Sequence, residues 1–238
     1  MNMFSSIRLN QVRAAPATMM IRIWLFTALA MGLTIVVAWL ALLSGVVNVE
    51  NHPGIFMCNL ILIFLISFWL DLRWDKFSTL LASLIGLVLI VLVGTALSAF
   101  FSILAIATVF GILVAIFVLS ATLSLLLGWN PGSRWLILLM AVSGVLLAVI
   151  INSLMESTFS VWAMSILAAL AWPSAVLFKL DVLSELSRKL YAGEFSTLPR
   201  CMVLGGVIIY LSVLSQFCQL LMFLLEVLFR TGMGMLGW

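Results

Sequence analysis

The strongest constraint on this chain is a succession of long apolar runs, with charge confined to the gaps between them. A helix needs about 20 predominantly apolar residues to cross a hydrocarbon core of about 30 Å. Runs near that length fall at roughly residues 19–46, 54–71, 78–99, 101–128, 134–153, 158–179 and 201–229. They are continuous and lack the two-residue alternation of a lipid-facing barrel strand, so helix is the expected spanning element. Of the 238 residues, 66% are hydrophobic and 8% are charged, whereas a soluble domain carries about 25% charged residues. No aqueous fold of this size encloses that much apolar surface. The expectation is an all-α integral membrane protein, one domain over residues 1–238 with seven transmembrane helices after a short tail of about residues 1–18.

Turn chemistry separates most of the runs. "NVENHPG" divides the first two, "DLRWDKFS" the second and third, and "GWNPGSR" the fourth and fifth. "NSLMEST" follows the fifth. The gap between the third and fourth, "SAFFS", holds neither charge nor breaker. Fusing those two runs would give one helix of about 75 Å, far longer than a bilayer is thick, so a tight hairpin is expected there. The first run is too long for the apolar region of a cleavable signal, and it reads as a first span.

Seven spans with a cytoplasmic amino terminus place Arg8, Arg13, Arg22, Arg73, Lys76, Arg134, Lys179, Arg188, Lys189 and Arg200 on one side, and only Arg230 on the other. This is the asymmetry of the positive-inside rule, and it puts the carboxyl terminus outside. Trp69, Trp74, Trp129 and Trp135 are expected at the same interface as an aromatic belt. The net charge of +3 is spread through loops and does not read as a nucleic-acid surface. Cys58, Cys201 and Cys218 have no paired spacing, and His52 is the single histidine. Neither a disulfide framework, a metal site nor a cofactor is therefore expected.

Few residues can carry chemistry. Asp181 stands just beyond the sixth run in the polar stretch "LFKLDVLSELSRKLYAGEFSTLP", which reads as a cytoplasmic loop. It is either a solvated helix-end carboxylate beside Lys179 or a carboxylate tucked between helices at a gate. In the seventh run Ser212, Ser215, Gln216, Gln219 and Glu226 share one helical face, with Tyr210 and Cys218 off that line. A polar face in lipid is expected to point into the bundle, as interhelical hydrogen bonds or as the wall of a polar path. Glu226 snorkels beside Arg230. Pro173 is expected to kink the sixth helix. Asn152 and Glu156 close the fifth, and Asp71 and Asp75 flank Arg73 and Lys76 in a charged interfacial loop. No nucleophile elbow, phosphate loop, HExxH or CxxC occurs, so no enzyme and no catalytic residue is expected.

The order of these features resembles the Bax inhibitor-1 family, and particularly its bacterial members. The resemblance rests on "SAVLFKLDVLSEL" at the end of the sixth span and on "IIYLSVLSQFCQLL" in the seventh. It is extended by "MMIRIWLFTALAMGLTIVVA" in the first and by the fourth and fifth spans through the asparagine at position 152. It implies six helices around a central seventh, a bacterial inner membrane, and a pH-sensitive calcium leak latched by two aspartates sharing a proton. Asp181 matches the first aspartate, whereas Ser212 stands at the second position. Two close carboxylates hold one proton at raised pKa, and an aspartate with a serine does not, so this chain lacks the paired latch. Some bacterial relatives of that family instead modulate a membrane-bound protease or associate with other membrane proteins, a role that needs no second aspartate. Two functions follow from the resemblance. One is a regulatory or accessory subunit bound to other integral membrane proteins in the lipid bilayer. The other is a calcium or proton leak past Asp181, Ser212, Gln216 and Gln219.

Overall fold

The computed structural model describes residues 3–45, 53–73, 76–99, 101–128, 133–191 and 198–235, with side chains described for most of them. All regular structure among these is helical: α1 (Met3–Ser44), α2 (Pro53–Arg73), α3 (Thr79–Ser98), α4 (Ile103–Leu127), α5 (Arg134–Leu154), α6 (Phe159–Tyr191) and α7 (Leu198–Met235). Six of the seven are long and apolar enough to cross a membrane over their described residues, and α2 contributes a shorter apolar stretch, Met57–Leu70. Trp69 and Trp135 are exposed, while Trp74, Trp129 and His52 lie outside the described residues.

Helix starts are set by serines. Ser78, Ser102 and Ser133 each hold an extended backbone, and the hydroxyl oxygen accepts from the N–H of Leu81, Ala105 and Leu136. Each cap satisfies one of the orphan donors of a helix amino end. Ser102 is the punctuation that "SAFFS" conceals: the break between α3 and α4 is a capped helix start. α4 ends at Gly128, whose φ of 62° suits a residue without a Cβ.

The expected amino-terminal tail is helical from Met3, continuous with the first span. One expectation about bounds is corrected. The polar stretch after the sixth span is helix as far as Tyr191. Leucine, lysine, glutamate and arginine all favour helix, and Leu183 and Leu186, three residues apart, are both buried. The extension lies along the start of α7, where the Cys201 thiol reaches the Leu186 carbonyl at 4.0 Å. Charge therefore marks where α6 leaves lipid and not where the helix stops.

α1 forms the spine. It packs against α3 on one side and α4 on the other, and also against α7; α3 and α4, although joined by a short link, touch little. α6 lies between α5 and α7 and also meets α4. Trp24 (α1), Phe117 (α4) and Trp172 (α6) meet edge-on, with centroids 6.0 Å apart for the two tryptophans and 5.8 Å for Phe117–Trp172. α7 is the most enclosed span, 67% buried against 33% for α5. Its main neighbours are α6, α1 and α3, with α2 only touching it, while α5 packs on α4 and α6. α6 runs as helix through Pro173, where the neighbouring Ser174 hydroxyl donates to the Ala171 carbonyl at 2.9 Å.

Candidate functional site

Most of α7 has neighbours made for it. On the α1 side Gly205 and Gly206 let the two backbones close up: a Cβ at Gly205 would stand 2.5 Å from Ile23 Cδ1, and one at Gly206 2.3 Å from Phe26 Cδ1. The Thr27 hydroxyl is shared between the carbonyls of Ile23 (2.9 Å) and Gly206 (3.3 Å). Thr34 donates to the Ala30 carbonyl at 2.9 Å, which leaves the Tyr210 hydroxyl as donor in the 2.8 Å contact between Thr34 and Tyr210. Small residues with interhelical hydrogen bonds are how helices associate where lipid removes the hydrophobic drive.

The opposite flank is different. α2 packs mainly on α3, held by Asn59, whose amide donates to the Leu92 carbonyl at 3.0 Å and to the Thr95 hydroxyl at 2.8 Å. α2 meets α7 only slightly, and a slot of about 630 Å³ remains between α2, α6 and α7. Its polar lining is Ser67 from α2, Lys179 from α6, and Ser212, Ser215 and Gln216 from α7, between walls that include Phe64, Phe68 and Phe178. Those three phenylalanines are exposed, so the slot opens sideways. A second concavity of about 620 Å³, at the start of α6, is lined by Ser157, Phe159, Trp162, Ala163, Ile166 and Leu167 and gathers almost no polar surface.

The expected site residues separate in space. Ser212 is buried and its hydroxyl reaches the Ala175 carbonyl at 3.5 Å, a bond at the long limit. Gln216 is half-buried in the slot and Ser215 is exposed at it. Gln219 is exposed. The side chain of Glu226 lies outside those described. Asp181 is exposed near the end of the α6 span. It follows Ala175 by six residues, which is about 9 Å along the axis and about 120° round the helix. Asp181 therefore stands on a different face from the one that meets Ser212.

Sequence reasoning singled out neither Ser67 nor Asn59. It treated Lys179 only as a neighbour of Asp181, although a lysine inside the last turns of a span is itself a signal. Asn152, fully buried, turns inward: its amide donates to the Ala148 carbonyl at 2.8 Å while its Oδ1 is buried without a protein partner. No group of three metal-ligating side chains occurs among the described residues.

Six long apolar helices, the enclosed α7 among them, with lipid-sized apolar area on the outside, define a multi-pass α-helical membrane protein. The chain is related to a protein of Escherichia coli (strain K12) described as the uncharacterized protein YbhM, with 28% identity over 188 residues, 79% of each chain. No family model matches the sequence, and no solved structure matches it.

Proposed function

We propose that this protein is a regulatory or accessory subunit that binds another integral membrane protein within the bilayer, and that it performs no covalent chemistry of its own. In this reading it is a seven-span protein of the Bax inhibitor-1 type in a bacterial inner membrane, with its amino terminus cytoplasmic and its carboxyl terminus outside. The order of sequence motifs, the placement of the bases and a relative from Escherichia coli support that setting.

One observation carries the binding role. The polar stripe of α7 does not stay inside the bundle: Gln219, one turn past the slot-lining Ser215, is exposed. Polar side chains facing hydrocarbon are stabilised by a partner helix that hydrogen-bonds with them. The leak reading has less support, because Asp181 and Ser212 occupy different faces of the α6–α7 pair.

A photo-reactive residue at Gln219 in native membranes tests the proposal. It is expected to crosslink to one defined membrane protein, whereas the same probe at the exposed Leu138 on α5 labels lipid. Crosslinks to lipid alone at both positions would remove the reading. Calcium flux through the purified protein in liposomes, varying between about pH 5 and pH 8, would favour the leak in its place.

A further inference from the structure

The direction of the slot between α2, α6 and α7 follows from the packing. Gly86 of α3 faces Val207, and Gly94 of α3 faces Thr34, which bonds Tyr210, so α3 runs parallel to α7. Asn59 near the start of α2 bonds Leu92 and Thr95 near the end of α3, and Trp69 near the end of α2 packs on Phe77 just before α3, so α2 runs antiparallel to α3 and hence to α7. The Leu70 end of the α2 wall thus lies with Lys179 and Ile208, and the Leu60 end with Cys218. From Ile208 to Cys218 is about 15 Å of helix, half the thickness of a hydrocarbon core of about 30 Å. The slot is one leaflet deep.

The chemistry is graded along that depth. At the shallow end stands Lys179, with Arg73 exposed one turn beyond Leu70 and Lys76 exposed after it. The acids described at this end are Asp181, exposed, and Glu185, half-buried, both on the outgoing part of α6. Deeper come hydroxyl and carboxamide donors on α7, Ser215 and Gln216, and the aromatic walls Phe64, Phe68 and Phe178. A cation at the interface, donors below it and apolar sides suit a ligand with an anionic head, acceptor-only carbonyls beneath and a hydrocarbon tail. Basic pockets between helices take anionic lipid head groups in this way.

We propose that the α2–α6–α7 slot binds one anionic glycerophospholipid, its phosphate on Lys179, its ester carbonyls toward Ser215 and Gln216, and an acyl chain between the phenylalanine walls. The site is separate from the partner contact at Gln219 and stands whether or not that contact exists.

The test uses the full chain in nanodiscs of equal parts phosphatidylglycerol and phosphatidylcholine, released into mild detergent, with retained lipid counted by native mass spectrometry. One phosphatidylglycerol is expected to stay bound in preference to phosphatidylcholine. Lys179→Gln is expected to weaken its retention about fivefold, the worth of one basic contact. Ser215→Trp, which fills the slot, is expected to abolish retention, and Leu138→Trp on the exposed face of α5 to leave it unchanged. Circular dichroism and elution as a single species establish that each variant is folded, and Lys179→Gln decides the matter if Ser215→Trp does not fold. Equal retention of the two lipids, or retention indifferent to Lys179→Gln, overturns the proposal.

Discussion

The two flanks of α7 both carry hydroxyl side chains and behave in opposite ways. Toward α1 the helix presents Gly205, Gly206 and Tyr210, and the neighbour fits so closely that added Cβ atoms would collide. Toward α2 it presents Ser215 and Gln216, and an open slot intervenes. Hydroxyl groups occur on both sides, so polarity alone does not separate a structural seam from a binding surface. The difference is closeness of approach: where two backbones meet through glycine, polar side chains satisfy each other within the bundle. Where the helices stand apart, as α2 does from α7, polar side chains are left to something outside.

The contrast can be broken by substitution. Gly206→Leu drives a branched side chain into the Phe26 ring, and unfolding in detergent should show a loss of about 3 kcal/mol, the upper end of overpacking. A variant as stable as the parent would show that the α1 seam has slack. Tyr210→Phe removes one interhelical hydrogen bond while Thr34 keeps its bond to the Ala30 carbonyl. The expected cost is about 1 kcal/mol, and a double-mutant cycle with Thr34→Val should recover most of it as coupling. Ser212 sits between the two regimes, with a single long bond to Ala175. Ser212→Ala should cost less than about 1 kcal/mol by the same measurement; a larger loss would promote Ser212 to the seam. On the open flank Gln219→Leu should leave stability within about 0.5 kcal/mol of the parent, yet abolish the protein crosslink formed from a probe at the exposed Met222. A stability loss of seam size there would mean that Gln219 serves the bundle.

Much of the architecture was legible because apolar length is a local property. The positions of the apolar runs gave seven helices nearly in place, including the break at "SAFFS", where a capped serine does what no proline or charge does. The end of α6 was misread. Charge density in "KLDVLSELSRKLY" signals exit from lipid, and the helix continues because Leu183 and Leu186 still find a surface on α7. Of the polar stripe on α7, the shared face was legible and its direction was not. The stripe was expected inside the bundle, whereas Ser212 is buried, Gln216 half-buried, and Ser215 and Gln219 exposed.

The sequence by itself determined that lipid is the solvent for this chain and where its helices lie, since each apolar run must satisfy its own backbone hydrogen bonds wherever it packs. Only the tertiary structure decided which helices are neighbours and which faces they share. Hydrocarbon and a bundle interior are almost equally apolar, so an oily residue does not reveal which of them it faces. That choice is made by close contact between particular side chains, such as Phe26 on Gly206, and by its absence beside Phe64 and Phe68.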